Sequence, residues 1–197
     1  MLKVTILISG SGTNMEAVLD HQKDLGKKAK FSVEKIIADR PAGGLEKAAS
    51  RGFRTVLLNK RDLGAEVYNS RLLDEIKGSD IIILAGYLSV LSDEIVDGYR
   101  GRIINIHPSL LPKYGGRGMY GLNVHRAVLA SGEKESGCTV HLVDEGIDTG
   151  RILVQKKVDV IEGDEPETLQ KRILEHEHRA ITEGLDILVE SILNIES

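Results

Sequence analysis

Cysteine is nearly absent from this sequence of 197 residues, in which Cys138 is the single example. One cysteine cannot form a disulfide within the chain, and no group of cysteines and histidines has the spacing of a zinc site. The sequence therefore predicts that no metal is bound, and it favours a protein of the reducing cytoplasm.

Long hydrophobic runs and an excess of basic residues are also missing. The first apolar stretch, KVTILIS at 3–9, is far too short to span a membrane, and its pattern is typical of a strand. A formal net charge of -4, with lysine and arginine scattered along the chain, argues against a general nucleic-acid-binding protein. We therefore expect small-molecule partners, with no nucleic acid and no membrane.

Low-complexity segments, internal repeats and linkers are absent too, so one domain is predicted over 1–197. Apolar, β-branched stretches alternate with segments of helical period. Strands are predicted at 3–9, 33–38, 54–58, 80–86 and 101–106, and helices near 14, at 44–52 and at 64–77. Short strands that are apolar at nearly every position predict a doubly wound, mostly parallel α/β sheet with a Rossmann-like fold.

The last third of the chain has a different pattern. A glycine-rich loop at 113–121 precedes a helix at 122–131. Two alternating stretches at 138–144 and 151–160, joined by the loop 145–150, predict an antiparallel strand pair. Pro166 near the start of an amphipathic stretch at 164–193 predicts one long terminal helix.

The stretch SGSGTN at 9–14 follows the first predicted strand, where this fold places its first ligand-binding turn. Glycines let the backbone approach a ligand, and the N–H groups that open the next helix favour an anion. We interpret Gly12, Thr13 and Asn14 as a site for one phosphate, which predicts a monophosphate substrate. The alternative is that these residues only form a turn and a helix cap.

A dinucleotide site is a second alternative for this turn. Gly10 and Gly12 match the first two glycines of that fingerprint, but Met15 occupies the third position. Asp39 at the end of the second strand could act as the ribose-binding acid, so this alternative stays open. No lysine follows in the pattern of a nucleoside triphosphate site.

Polar residues end the fifth strand in NIHPSLLP at 105–112. Because strand side chains alternate, Asn105 and His107 share a face, opposite Ile104 and Ile106. Together they could hold an oxygen that gains negative charge in acyl transfer, at the strand end where such sheets bind ligands. The alternative is that Asn105 caps a turn and His107 is a structural histidine.

Asp144 and Asp148 surround a glycine-containing loop, and a carboxylate near His107 could tune its pKa and relay a proton. Asp144 alone also fits a simple turn former. No nucleophile is evident, since Ser109 lacks a GxSxG context and Cys138 lies in a predicted strand. We therefore expect direct transfer without a covalent enzyme intermediate.

Several motifs together resemble the glycinamide ribonucleotide transformylases of the folate-dependent formyltransferase superfamily. They are ILISGSGTN, GLEKA, LAGYLSVLS, NIHPSLLPKY, GCTVHLVDEGIDTG and EHEH. The resemblance implies the formyltransferase fold and formyl transfer from 10-formyltetrahydrofolate to the amine of 5-phosphoribosylglycinamide, in purine synthesis. It also implies a phosphate-substrate-binding half at 1–100 and a catalytic, folate-binding half at 101–197, and leaves open a monomer or a homodimer.

The resemblance also assigns residues. Asn105 and His107 would stabilise the oxyanion, Asp148 would orient His107 and help the proton move, and His141 would support the site. Phosphate binding is assigned to Ser11, Gly12, Thr13 and Asn14. Glycinamide binding is assigned to Gly86, Leu88 and Glu177. Folate binding is assigned to Leu88, Ser89, Val90, Leu91, Val143, Asp144, Gly146 and Asp148.

The chain also departs from the common pattern of that family. Gly115 stands where many members have proline, and it begins a longer GGRGMYG loop. Ser89 and Ala65 stand where some members have arginine, and Arg151 follows DTG where proline is usual. These departures affect the expected substrate contacts and leave the catalytic set intact.

Rival interpretations remain at this point. A methionyl-tRNA formyltransferase or a formyltetrahydrofolate deformylase would carry a further domain, for which 197 residues leave no room. A nucleotide- or folate-binding module without catalysis is a further rival. In such a module Asn105, His107 and Asp148 would have no catalytic role and would only form turns.

Overall fold

The computed structural model of the protein describes residues 1–195. The strands are β1 Leu2–Ile8, β2 Phe31–Ala38, β3 Arg54–Leu57, β4 Ile81–Leu84, β5 Ile103–His107, β6 Glu135–Leu142 and β7 Ile152–Asp159. The helices are α1 Thr13–Leu25, α2 Gly43–Ser50, α3 Lys60–Leu63, α4 Ala65–Ile76, α5 Asp93–Gly98, α6 Leu122–Ala130 and α7 Pro166–Ile195. Within 1–195, no helix is long and apolar enough to cross a membrane.

The seven strands form one sheet in the order β3-β2-β1-β4-β5-β6-β7. The pairs among β1 to β5 are parallel, whereas β6 runs antiparallel to both β5 and β7. The order reverses between β1 and β4, which is the position where doubly wound folds open a ligand crevice. The predicted doubly wound sheet, the antiparallel strand pair and the long terminal helix are all confirmed.

The strand side chains feed two hydrophobic cores, one on each face of the sheet. Ile104 and Ile106 of β5 join the core formed with α1 and α7, while Ile103 joins the core formed with α4 and α5. Strands covered on both faces must be apolar at nearly every position, which explains the continuous Ile, Leu and Val runs. Asn105 and His107 interrupt that pattern on one face of β5.

The boundaries differ from the prediction in a few places. The helix predicted at 64–77 is observed as α4, and a short helix that was not predicted, α3, precedes it; Gly64, with a positive φ of 75°, separates the two. Helix α5 was not predicted. Strand β5 extends through His107 instead of ending at Ile106, and it pairs at His107 with Thr139 of β6. The antiparallel neighbour therefore holds His107 rigidly within the sheet.

Helix α7 packs closely on β6 through a glycine. A Cβ atom on Gly184 would lie 2.5 Å from Cγ1 of Val140, so only glycine permits this approach. Overpacking costs about 1–3 kcal/mol, and alanine gains about 1 kcal/mol in helix propensity over glycine. We therefore expect Gly184→Ala to lower the free energy of unfolding by about 1 kcal/mol in urea denaturation.

Gly98 of α5 provides the matched control, because no atom lies within 4 Å of a Cβ built there. Gly98→Ala should leave the free energy of unfolding unchanged or slightly higher. A Gly184→Ala variant more stable than the wild type would contradict the packing argument.

Candidate active site

A cleft of about 1040 Å³ opens at the carboxyl ends of β1, β4 and β5. Every residue assigned to a site from the sequence lines it. These are Ser11, Gly12, Thr13, Asn14, Gly86, Leu88, Ser89, Val90, Leu91, Asn105, His107, His141, Val143, Asp144, Gly146, Asp148 and Glu177. The fold thus brings together segments from both halves of the chain.

The glycine-rich turn opens α1. Gly12 has a left-handed φ of 74°, and its carbonyl accepts the first helical hydrogen bond from the N–H of Glu16 at 2.9 Å. A Cβ on Gly12 would lie 3.0 Å from Cα of Gly44, which itself donates from N to the carbonyl of Gly10 at 3.1 Å. This close packing places the first turn of α1 on the cleft wall, and the first N–H groups of a helix have no partner within it, as an anion site requires.

Asn14 links this turn to the terminal helix. Its Nδ2 donates to Oε2 of Glu177 at 2.6 Å, and Glu177 is only 9% exposed. Burial raises the pKa of Glu177, and the hydrogen bond from Asn14 opposes that shift. The amide oxygen of Asn14, Oδ1, is buried with no hydrogen-bond partner among the described residues. This contact was not predictable from the sequence, since the two residues lie 163 positions apart.

Helix α7 contributes further cleft residues that were not predicted from the sequence. Gln170, Lys171 and Leu174 line the cleft one to two turns before Glu177. Leu174 lies four and three positions after the first two, and Glu177 lies three positions after Leu174, so all four share one face of the helix. That spacing was the signal in the sequence that could have identified them. Lys171 is exposed and has no ion pair in the described part of the chain.

The amide of Asn105 is held by its neighbours on β6 and the following loop. Nδ1 of His141 lies 2.9 Å from the carbonyl of Leu142, to which it donates. Nε2 of the ring then accepts from Nδ2 of Asn105 at 3.1 Å. Nδ2 lies 3.5 Å from Oδ1 of Asp148, so its second hydrogen is only weakly engaged and can reach a ligand.

His107 lies between a carbonyl and a carboxylate. Its Nε2 donates to the carbonyl of Tyr114 at 2.8 Å, and its Nδ1 lies 3.5 Å from Oδ2 of Asp148. Burial lowers the pKa of His107 below its ordinary value, and the charge of Asp148 and the bond to Tyr114 oppose that shift. The ring is therefore neutral at pH 7, with its Nδ1 lone pair available for a proton next to Asp148.

Asp148 is the centre of this cluster. Its backbone is left-handed, with φ of 60°, a strained conformation for a residue that is not glycine. Burial alone would raise the pKa of the carboxyl, but the neighbouring imidazoles of His141 and His107 and the N–H of Gly116 hold it below its ordinary value. The N–H of Gly116 donates to Oδ2 at 2.9 Å. Asp148 is therefore a carboxylate at neutral pH.

Asp144 holds the loop that carries Asp148. Its Oδ1 accepts from the N–H of Gly146 at 3.1 Å and from Oγ1 of Thr149 at 2.6 Å. A Cβ on Gly150 would lie 1.8 Å from the carbonyl oxygen of Leu142, so the loop closes tightly against β6. Asp144 thus forms the predicted turn and also lines the cleft.

The loop that begins at Gly115 covers the site beside Asp148. A Cβ on Gly115 would lie 2.6 Å from Cδ2 of Leu111 and 3.3 Å from Cβ of Asp148. Glycine at this position therefore lets the loop lie close to Asp148, which accounts structurally for this departure from the common pattern.

The segment after β4 forms the rim of the cleft. Leu88 and Val90 are 45% and 66% exposed, and the N–H of Leu88 donates to Oγ of Ser9 at 2.8 Å. Oγ of Ser89 donates to Asp39, whose buried carboxylate also pairs with Arg40 at 2.9 Å. Asp39 is occupied by these bonds, which disfavours the ribose-binding role of the dinucleotide alternative.

His125 of α6 is a cleft residue that no sequence signal distinguished. It is 1% exposed, and within residues 1–195 neither ring nitrogen has a hydrogen-bond partner. Burial, followed by the charge of His107, lowers its pKa to about 4, so the ring is neutral. In the described part of the chain, no group of three or more His, Cys, Asp or Glu side chains is placed to hold a metal ion.

Comparison with known proteins identifies relatives with similar sequences. The chain is 42% identical to a trifunctional purine biosynthetic protein adenosine-3 of Drosophila melanogaster over 95% of its own length, and spans 14% of that relative. It is 37% identical to a phosphoribosylglycinamide formyltransferase of Escherichia coli (strain K12), covering 90% of this chain and 82% of the relative.

A solved structure is also similar to this chain. Glycinamide ribonucleotide transformylase 1 from Symbiobacterium toebii matches with a TM-score of 0.89 and 36% identity, covering 97% of this chain and 89% of that one. The formyl transferase family profile matches residues 2–185. A match over that much of the sequence, with relatives of this identity, means that the chain belongs to the formyl transferase family.

Proposed function

We propose that the protein transfers a formyl group from 10-formyltetrahydrofolate to the amine of 5-phosphoribosylglycinamide, giving formylglycinamide ribonucleotide and tetrahydrofolate in purine synthesis. The observation that carries the proposal is the single cleft that joins an anion-binding turn to the Asn105, His107 and Asp148 cluster. The names of the relatives from Escherichia coli and Symbiobacterium toebii support the same substrate.

The ribonucleotide occupies the part of the cleft beside α1. Its phosphate accepts from the N–H groups of Ser11 to Asn14, where the α1 dipole adds favourable charge, and Lys171 provides a cation from α7. The glycinamide end then lies near Gly86, Leu88 and the buried Glu177. The contact between Asn14 and Glu177 fixes the distance between these two subsites.

The folate occupies the other part of the cleft. Its ring system contacts the apolar rim from Leu88 to Leu91, and its polar edge meets the backbone of the loop from Val143 to Asp148. A partly apolar cleft of this size suits a flat heteroaromatic ligand that brings few charges at that end. Enclosing the formyl group there limits its hydrolysis by water.

The chemistry begins with attack of the substrate amine on the formyl carbon. A bond forms between that nitrogen and carbon, and the formyl oxygen gains negative charge. The weakly engaged amide hydrogen of Asn105 is available to this oxygen, and such a preorganised donor is worth most in a water-poor site. The bond from carbon to N10 of the folate then breaks, and the oxygen returns to a carbonyl.

One proton must travel from the attacking amine to N10 of the leaving folate. Nδ1 of neutral His107 can accept it, and the carboxylate of Asp148 at 3.5 Å stabilises the imidazolium that results. His107 then returns the proton, directly or through water. The step needs no covalent enzyme intermediate, and the 10-formyltetrahydrofolate is a co-substrate.

Asp144 acts in this scheme by positioning Asp148. Asp144→Ala removes two hydrogen bonds, each worth about 1 kcal/mol, so the strained backbone of Asp148 is less firmly held. We expect kcat to fall about tenfold, with a smaller fall for Asp144→Asn because its amide oxygen can still accept. Steady-state kinetics with both substrates saturating test this, and equal kcat for Asp144→Ala and wild type would contradict it.

The assay that tests the proposed function mixes the protein with 5-phosphoribosylglycinamide and 10-formyltetrahydrofolate and follows the folate product by absorbance. We expect turnover that requires both substrates. Release of formate without the ribonucleotide would favour a deformylase, and no consumption of the folate at all would favour a binding module.

The single cysteine, buried with a thiol pKa raised to about 12 by burial, suits the reducing cytoplasm, where we place the protein.

A further inference from the structure

The charges along the cleft do not match the substrates of the proposed function, on which this inference rests. Five acidic residues line the cleft, namely Asp93, Asp144, Glu145, Asp148 and Glu177. Among residues 1–195, only two basic residues do, Arg117 and Lys171. Both proposed substrates are anions, one through a phosphate and the other through the glutamate carboxylates of the folate. A cleft rich in acids repels such ligands unless its few cations meet them.

Arg117 is the basic residue with no assigned role. It lies in the longer loop after Gly115, is exposed, and has no hydrogen bond or ion pair among residues 1–195. Other arginines of this protein are paired with carboxylates, as Arg100 and Arg172 illustrate. An unpaired guanidinium on a cleft wall is free to bind an oxyanion with two parallel hydrogen bonds.

The loop around Arg117 is anchored at its base and rich in glycine above it. The carbonyl of Tyr114 accepts from His107, and the N–H of Gly116 donates to Asp148. Gly116, Gly118 and Gly121 all have positive φ, at 93°, 86° and 53°, which side chains other than glycine rarely adopt. The segment that carries Arg117 therefore adjoins two catalytic side chains directly.

We propose that Arg117 is a substrate-binding residue that clamps an oxyanion of a bound substrate. The oxyanion is either the phosphate of the ribonucleotide or a carboxylate of the folate tail. Arg117 follows Gly116 directly, so an anion held by its guanidinium also fixes the N–H that bonds Asp148. Binding at the loop thereby stabilises the catalytic carboxylate.

The test compares Arg117→Ala and Arg117→Lys with wild type by calorimetric titration and by kinetics. The probes are ribose 5-phosphate and 5-formyltetrahydrofolate, the latter as its monoglutamate and its triglutamate. We expect Arg117→Ala to weaken binding of one probe class, and raise the matching KM, about tenfold, as for a charged hydrogen bond. Arg117→Lys should recover part of that loss because it keeps the charge without the planar fork.

The two classes of probe distinguish the two possible sources of the oxyanion. Weaker ribose 5-phosphate binding identifies the phosphate, whereas weaker folate binding that is larger for the triglutamate identifies the tail. The difference between wild type and Arg117→Ala should shrink at high salt in either case. Arg126→Ala is the matched control, because Arg126 is exposed on α6 and lies outside the cleft, and it should bind every probe as wild type does.

Two outcomes overturn the proposal. One is that Arg117→Ala binds every probe with the same affinity as wild type. Absence of binding of any probe by the wild type counts as the same outcome. The other is a fall in kcat with both KM values unchanged. Absence of turnover in the wild type would instead overturn the proposed function, and the binding arms would still decide the role of Arg117.

Discussion

Asp148→Asn is expected to lower kcat/KM for formyl transfer by about 10³-fold, within the range for removal of an acid–base group. The carboxylate accepts from Gly116 and faces Asn105, His107 and His141. The donors among these are the N–H of Gly116 and Nδ2 of Asn105, which face different oxygens of the carboxylate. An asparagine amide must turn its NH2 group toward one of them, so one contact becomes repulsive. It also carries no charge to stabilise the His107 imidazolium.

Single-turnover kinetics at saturating substrate separate this effect from weaker binding. Asp24→Asn, on the exposed surface of α1 and outside the cleft, is the matched control and should keep wild-type kinetics. Ribose 5-phosphate should bind Asp148→Asn as it binds wild type, because the phosphate subsite lies at α1. An Asp148→Asn variant with more than a tenth of wild-type kcat would show that the carboxylate is not part of the reaction.

His107→Ala is expected to lower kcat by about 10²–10³-fold, since it removes the proton acceptor in a buried site. The variant also frees the carbonyl of Tyr114, which loses its partner at 2.8 Å. His107→Gln keeps a donor toward Tyr114 but supplies no comparable base. Similar loss in both variants would assign the effect to proton transfer, whereas near-complete recovery in His107→Gln would assign it to loop anchoring.

The pH profile gives a separate test of His107. Catalysis requires the neutral ring, and burial lowers the pKa of His107 below the ordinary histidine value. Activity should therefore stay level from pH 8 down to about pH 6.5, the ordinary value, and fall as the pH drops through the lower pKa. Rate measurements from pH 5 to 9 test this, and an acid limb centred above the ordinary value would contradict the assignment.

Much of the fold was predictable because its signals are local. Buried parallel strands must be apolar on both faces, and the runs in β1, β2 and β4 satisfy that requirement in sequence. Turn glycines and Pro166 at the start of α7 mark boundaries by backbone conformation alone. The short helices α3 and α5 escaped prediction, since four and six residues are too few to show a helical period.

The sequence by itself determined the strand alternation that places Asn105 and His107 on one face, and the motif resemblance that selected Asp148. Only the tertiary structure decided that Asn14 bonds Glu177, that His107 donates to Tyr114, and that Arg117 and Lys171 are the cations of the cleft. Periodicity describes how neighbours along the chain share a face. Contacts across 163 positions depend instead on how helices and strands pack, which no local pattern encodes.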